Sequence, residues 1–187
     1  MTARNQQRPT FLSQKLSAII IGIVLLGIFQ TTAETIGSIP PPLETPKGPV
    51  LLTVTGKITQ KNRGDSAVFD LEMLDRLELG VIKTANPWIA GTNEYSGPKF
   101  SALLRAVGAS GTNPVVVTAL NDYVGKVPVD DIVNLHLILA TRKNGKPLKI
   151  REKGPLFVVY PFSERQDIYD EVHFCRSVWQ IKSIEIR

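Results

Sequence analysis

Short β-branched runs separated by turn signals recur from residue 50 to the C-terminus, and this pattern limits the possible folds more than any other feature. Runs of this kind, bounded by Gly, Pro and Asn, are typical of strands. They occupy residues 50–58, 80–87, 114–120, 122–129, 135–143, 154–162 and 177–186, with a tight turn at 144–146. Two amphipathic runs interrupt them. One is a helix capped by Asp70, and the other is a helix over 96–109 with Pro98 in its first turn. The alternation predicts an α+β domain.

The N-terminus has the pattern of an export signal. Arg4, Arg8 and Lys15 precede the apolar run 16–29, and small residues follow it. This order predicts a secretory signal peptide over residues 1–33 and a periplasmic location. The apolar run is 14 residues long, whereas a membrane-spanning helix needs about 20. An uncleaved N-terminal anchor remains the alternative.

The composition of the rest of the chain limits its domain organisation and its possible partners. Residues 34–49 are rich in proline and predict an extended linker, which leaves one domain over 50–187. Without the three basic residues of the leader, 19 basic residues face 17 acidic ones, so no charge excess favours nucleic-acid binding. Cys175 is the only cysteine, so the fold must be stabilised by its core and not by an internal disulfide.

The sequence has none of the common catalytic motifs: no GxSxG elbow, P-loop or HExxH. His173 and Cys175 would share one face of a strand, but no third soft ligand accompanies them. Asp130 and Asp131 are adjacent, and adjacent residues on a strand point to opposite faces. We therefore predict no catalytic residue and no metal ligand.

Aromatic and amide side chains instead collect at the predicted strand ends, where pockets form. Trp88 stands out because it follows Pro87 and precedes a polar, glycine-containing stretch. A flat heteroaromatic ligand would stack on such a ring while amide groups bind its edge. The alternative is that Trp88 fills the core.

Six segments carry a family resemblance. They are "FDLEMLDRL", "IKTANPW", "SGPKFSALL", "ALNDY", "NGKPL" and "GPLFVVYP". In this order and spacing, the chain resembles the molybdopterin-binding domain of sulfite-oxidase-fold oxidoreductases over residues 50–187. The resemblance implies a single domain with a mixed-sheet, barrel-like core and a few short helices.

Catalytic members of that family hold molybdenum through one cysteine, in a strand-to-loop segment before a helix. Here that segment is residues 83–95, and it contains no cysteine. Arg4 and Arg8 are not adjacent, so the leader is not a twin-arginine signal for folded, cofactor-loaded proteins. The chain thus resembles a periplasmic branch that lacks the metal ligand and binds free pterins. Members of that branch are thought to regulate membrane signalling proteins such as diguanylate cyclases, phosphodiesterases or sensor kinases.

The resemblance implies a pterin as ligand, no molybdenum, and the periplasmic domain of a membrane signalling protein as partner. Trp88 would stack on the ring, Asn86 and the 84–88 backbone would bind its edge, and Glu94 or Asp122 would pair with the guanidine-like group. The full predicted site is Thr84, Asn86, Trp88, Glu94, Tyr95, Asn121, Asp122, Tyr123 and Tyr160.

Two other functions stay open. One is a molybdopterin-dependent oxidoreductase with unusual ligation, so enzymatic activity remains undecided. The other is a partner-binding scaffold whose pocket is vestigial.

Overall fold

The computed structural model describes residues 42–110 and 114–187, which belong to one compact unit. The predicted signal peptide over 1–33 lies outside the described residues, and of the predicted linker only residues 42–49 are described. Within the described ranges, no helix is both long enough and apolar enough to cross a membrane.

Eleven strands and four short α-helices make up the described domain. The strands are β1 (Leu52–Gly56), β2 (Ala67–Phe69), β3 (Leu79–Asn86), β4 (Ile89–Pro98), β5 (Val115–Ala119), β6 (Val124–Val127), β7 (Ile138–Ala140), β8 (Arg142–Lys143), β9 (Lys146–Pro147), β10 (Phe157–Val159) and β11 (Ile181–Ile186). The helices are α1 (Leu71–Asp75), α2 (Phe100–Ala106), α3 (Val129–Asn134) and α4 (Glu171–Arg176), with 3-10 turns at Ile150–Glu152 and Gln166–Ile168.

The strands form three sheets, which confirms the predicted α+β class. One sheet has the order β2-β1-β11-β5-β6, the second pairs β10 with β7, and the third has the order β3-β4-β8-β9. Only β1 and β11 run parallel, and all other pairs are antiparallel. None of these sheets closes on itself, so the barrel-like core that the resemblance implied is not found in the described residues.

Two clusters of buried side chains hold the sheets together. The larger one lies against the five-stranded sheet and includes Leu52, Phe100 and Ile184, all fully buried. The smaller one centres on Tyr95 and Phe157, between the two other sheets. Every fully buried member of either cluster falls within residues 52–186. This part of the chain therefore carries its own core and can fold by itself.

The segment around Trp88 forms a hairpin and not a strand-to-helix connection. β3 pairs with β4 over its whole length, from Leu79 opposite Pro98 to Asn86 opposite Ile89, which leaves Pro87 and Trp88 at the tip. The polar stretch after Trp88 is a strand and not a loop. It is β4 because every second residue near its C-terminal end is buried between two sheets.

Two further local predictions were wrong. His173 and Cys175 lie on helix α4, where the Asp170 carboxylate accepts a hydrogen bond from the His173 backbone N–H at 2.9 Å and caps the first turn. Asp130 and Asp131 lie on helix α3. A short helix thus replaces a predicted strand at 173–175 and predicted loop charges at 130–131, because acidic residues favour a helix start.

Asp70 confirms the predicted cap of α1 and also holds the incoming chain. Its carboxylate accepts hydrogen bonds from the backbone N–H groups of Met73 at 2.9 Å and of Lys47 and Gly48 at 2.8 Å. These bonds, led by that from Met73, lower the pKa of Asp70.

We expect the Asp70→Asn variant to lose stability near neutral pH and to show a weaker acid dependence than the wild type. A lowered folded-state pKa stabilises the protein above the unfolded-state pKa, and this stabilisation is lost as pH falls through the folded-state value. Thermal melts of both proteins from about pH 7 to about pH 2 should therefore converge in acid. Melting curves separated by a constant interval at every pH would contradict this role.

Candidate functional site

A cavity of about 250 Å³ lies where the tip of the β3–β4 hairpin meets α4 and the β5–β6 turn. We call it the aromatic cavity. Its lining consists of Trp88, Ala119, Asn121, Tyr123, Phe174, Cys175, Ser177, Val178 and Trp179. Ligand pockets for drug-sized molecules occupy about 300–1,000 Å³, so this cavity suits a small ring system.

Asn86 fixes the hairpin tip that carries Trp88. Its side-chain oxygen accepts hydrogen bonds from the backbone N–H groups of Trp88 at 3.2 Å and Ile89 at 3.0 Å. Its amide nitrogen donates to the Tyr95 hydroxyl at 3.0 Å. Asparagine favours such local turns because its short side chain reaches the backbone two or three residues on. The position of Trp88 is thus set by its own hairpin.

The Trp88 ring contacts three other aromatic rings edge to face. The ring centroids lie 5.0 Å from Trp179, 5.7 Å from Phe174 and 6.3 Å from Phe157. Edge-to-face pairs contribute about 0.5–1.5 kcal/mol each beyond the area that they bury. These contacts hold the wall of the cavity in one arrangement before any ligand binds.

Lys153 places a positive charge against this wall. Its ammonium lies 3.5 Å from the centroid of the Trp179 ring and 5.5 Å from that of Trp88. Partial burial lowers the pKa of Lys153. The cation attracts the electron-rich ring faces and so helps to fix both tryptophans.

Helix α4 forms the opposite wall and is tied to the β5–β6 turn. The Tyr123 hydroxyl donates to the Cys175 carbonyl oxygen at 2.9 Å. Cys175 is exposed and is one of the residues that line the cavity, so the only cysteine of the chain lies at the candidate site. No local sequence pattern indicates this, because Cys175 and Trp88 are far apart along the chain.

Three of the predicted site residues meet at the cavity: Trp88, Asn121 and Tyr123. Trp88 also packs against the smaller core cluster. Trp88 therefore both lines the cavity and helps to fill the core, so each of the two interpretations of this residue is correct in part.

Three other predicted residues are buried behind the cavity and do not line it. Tyr95 is fully buried, and Asn86 is occupied by its bonds to the hairpin and to Tyr95. The Thr84 hydroxyl accepts a hydrogen bond from the Ser163 backbone N–H at 3.1 Å, while the Ala85 N–H donates to the Ser163 hydroxyl at 2.9 Å. These residues support the hairpin.

The remaining three predicted residues lie away from the cavity. Glu94 is exposed on β4, and Asp122 pairs with Lys182 on the surface. Tyr160 is fully buried, and its hydroxyl donates to Asp131 at 2.9 Å. Burial, together with the nearby Asp131 carboxylate, raises the pKa of Tyr160. The structure does not bring these three side chains to the site.

Sequence reasoning left out the α4 side of the cavity, above all Phe174 and Trp179. Trp179 carried a usable signal, since it is the second of only two tryptophans and lies just before a strand. Phe174 has no such signal, because residues 173–175 are strand-like in sequence but form part of α4.

No group of three or more His, Cys, Asp or Glu side chains in residues 42–110 and 114–187 is arranged to hold a metal ion. The hairpin segment 83–95 offers hydroxyl, amide and carboxylate oxygens but no thiolate. Soft metal centres prefer thiolate ligands. The donors at the hairpin therefore do not fit a molybdenum centre.

Comparison with known proteins gives one family and one fold. The family model described as "Oxidoreductase molybdopterin binding domain" matches residues 72–164. Among solved structures, the sulfane dehydrogenase SoxCD from Paracoccus pantotrophus matches with a TM-score of 0.54 and 17% identity. The match covers 72% of this chain but only 37% of that chain. No curated protein matches.

Proposed function

Because this chain belongs to the oxidoreductase molybdopterin binding domain family, we propose that it is a periplasmic, non-catalytic pterin-binding protein that regulates a membrane signalling partner. The family supports a pterin-type ligand. The charged and apolar pattern of the first 33 residues supports export.

The aromatic cavity is the observation that carries the proposal. Trp88 and Trp179 line the cavity and are the rings on which a flat bicyclic ligand would stack. The Asn121 side-chain oxygen accepts from the Tyr123 backbone N–H at 3.2 Å, and its amide N–H groups can donate to the ligand's edge. The interlocked rings make the cavity largely preformed, which lowers the ordering cost of binding. A free pterin has the flat shape and polar edge that such a site recognises.

The donor chemistry of the hairpin supports ligand binding without a metal held by the protein. The segment in which the family resemblance places the molybdenum ligand is β3–β4, and its buried polar side chains are already bonded internally. Thr84 and Asn86 are buried and partnered, and Asn93 bonds its own hairpin backbone at Ala90 and Gly91.

The surface beside the cavity supports a signalling role. Leu120, Tyr123 and Val124 are large apolar residues that are 45–50% exposed, and Tyr123 also lines the cavity. A ligand that contacts Tyr123 can alter the surface offered to a partner, provided that the two states differ in ligand affinity. The expected partner is the periplasmic domain of a diguanylate cyclase, phosphodiesterase or sensor kinase.

We expect pterins to raise the melting temperature of residues 42–187 in a concentration-dependent way. Ligand that binds only the folded state stabilises it in proportion to the logarithm of its free concentration, by about 2.7 kcal/mol at 100 times Kd. A melting series with pterin, 6-carboxypterin and biopterin tests this, with a single-ring pyrimidine as the control ligand. Melting temperatures unaffected by all three pterins would reject the proposal and favour the scaffold with a vestigial cavity.

A molybdopterin-dependent oxidoreductase is the second candidate, favoured by the position of Cys175. This thiol lines the same cavity as Trp88, so a thiolate could reach a cofactor there from α4 and not from the hairpin. Molybdenum analysis of protein purified from its native cells distinguishes the two functions. Stoichiometric molybdenum that disappears in a Cys175→Ser variant would replace the first proposal with the second.

A further inference from the structure

The positive charge of the domain is concentrated in one short segment. Residues 142–153 contain six of the 19 basic residues found after the leader but only one acidic residue, Glu152. The rest of the described chain has 13 basic and 15 acidic residues. The rest of the described chain therefore carries a small net negative charge, while this segment is strongly basic.

Most of these cations have no acidic partner. Arg142 is bound by the Asp75 carboxylate, with both of its terminal nitrogens within 2.7 Å. For Lys143, Lys146, Lys149 and Arg151, no carboxylate oxygen of the described residues lies within 4.0 Å. Four unpaired cations so close in sequence repel one another, and an external anion would relieve that repulsion.

A shallow cavity of about 650 Å³ lies among these charges. Its lining includes Lys143, Lys146 and Lys149, together with Asn144, Pro147 and Leu148. Glu152 is the only acidic residue in its lining. The β8–β9 hairpin and the following 3-10 turn form this surface.

The hairpin is held rigidly against β4. Asn144 and Gly145 have φ angles of 50° and 75°, the left-handed conformation that a two-residue hairpin turn requires. The Asn144 N–H donates to the Glu94 carbonyl oxygen at 2.7 Å, and its side-chain oxygen accepts from the Glu94 N–H at 2.9 Å. The charges are therefore presented on a fixed scaffold.

An exposed aliphatic side chain lies among these charges. Ile150 is 59% exposed and stands between Lys149 and Arg151 in the chain. Just before it, Leu148 is buried and anchors the segment in the smaller core cluster. Basic side chains around an exposed apolar residue are typical of surfaces that touch anionic lipid, since the cations meet phosphates while the apolar group enters the interface.

We propose that Lys143, Lys146, Lys149, Ile150 and Arg151 form a cationic surface that docks the domain on anionic phospholipid headgroups. The Glu94 and Glu152 carboxylates are the nearby opposing charges, and they leave the surface with a net positive charge. Flat, extended contact with a lipid surface engages all four cations and Ile150 together, whereas a small free phosphate would engage only the concave part. This inference does not depend on whether the aromatic cavity binds a pterin.

Residues 42–187 test the proposal without the apolar N-terminal run. We expect this protein to sediment with phosphatidylglycerol vesicles, to ignore phosphatidylcholine vesicles, and to be released as salt rises, because exposed charges are screened. The Lys146→Glu/Lys149→Glu variant should bind about 30-fold more weakly or worse. The matched control is Lys57→Glu/Lys126→Glu, which changes two exposed lysines elsewhere by the same net charge and should bind like the wild type.

Each other outcome overturns the proposal. Equal binding to both vesicle types would show that binding does not depend on the charge of the lipid headgroups. Equal weakening by the two double variants would show a general charge effect and no local surface. Tight binding of inositol hexakisphosphate without vesicle binding would assign the surface to a soluble phosphate.

Discussion

Replacement of Trp88 by alanine should weaken pterin binding by about 100-fold while the domain stays folded. Stacking of a heteroaromatic ring on an aromatic side chain contributes about 1–3 kcal/mol, and Trp88 is the ring that the hairpin presents to the cavity. Titration calorimetry on wild type and variant measures the change directly. The remaining affinity would come from Trp179 and the polar edge contacts.

Trp88 also packs on the smaller core cluster, so its loss must be separated from a general loss of stability. A Trp88→Leu variant keeps apolar volume but removes the ring face, and it should lose most of the affinity as well. Ile82→Ala is the matched control, because Ile82 belongs to the same cluster but does not line the cavity. It should lower the melting temperature and leave pterin affinity unchanged.

Two results would count against this site. Pterin affinity retained in both Trp88 variants would remove Trp88 from the binding surface. An equal affinity loss in Ile82→Ala would mean that the Trp88 effect arises from destabilisation.

Replacement of Gly97 by alanine should destabilise the domain by about 3 kcal/mol or more. A Cβ at this position would lie 2.2 Å from the Leu139 carbonyl oxygen and 2.8 Å from the Thr141 backbone nitrogen. Both atoms belong to the chain backbone and cannot rotate away. Since the Thr141 N–H donates to the Ser96 carbonyl oxygen at 2.9 Å, any shift also breaks the contact between β4 and the strand beside it.

Urea denaturation measures this effect as a lower midpoint with an unchanged slope. Gly48→Ala is the control, because its Cβ would meet only the Asp70 side chain at 3.4 Å or more, which is ordinary van der Waals contact. It should change stability by less than about 0.5 kcal/mol. If Gly97→Ala behaves like this control, the close approach of β4 to β7 does not limit the fold.

Local signals predicted the elements of the fold well. Asp70 caps α1 as expected, and the Asn144–Gly145 turn joins two strands. Such features depend on the backbone within a few residues. The errors fell on β4, α3 and α4, where strand pairing or a short helix with acidic residues at its start decided the outcome.

The candidate site could be predicted only on its hairpin side. The position of Trp88 directly after Pro87 indicated it as a site residue. Asn121 and Tyr123 were indicated by their position in a turn at the end of a strand. Asn86 was expected to contact the ligand but supports the turn, because its side chain reaches its own backbone first. Phe174 and Trp179 join the cavity through sheet pairing and helix packing, which no local pattern encodes.

The sequence by itself determined the strand-rich composition, the family resemblance and the absence of a thiol in residues 83–95, because each of these is a property of residue identity and order. Only the tertiary structure decided that Cys175, Phe174 and Trp179 share a cavity with Trp88. Residues so far apart in the chain meet only when strand register and packing between sheets are fixed, and these depend on the whole core at once.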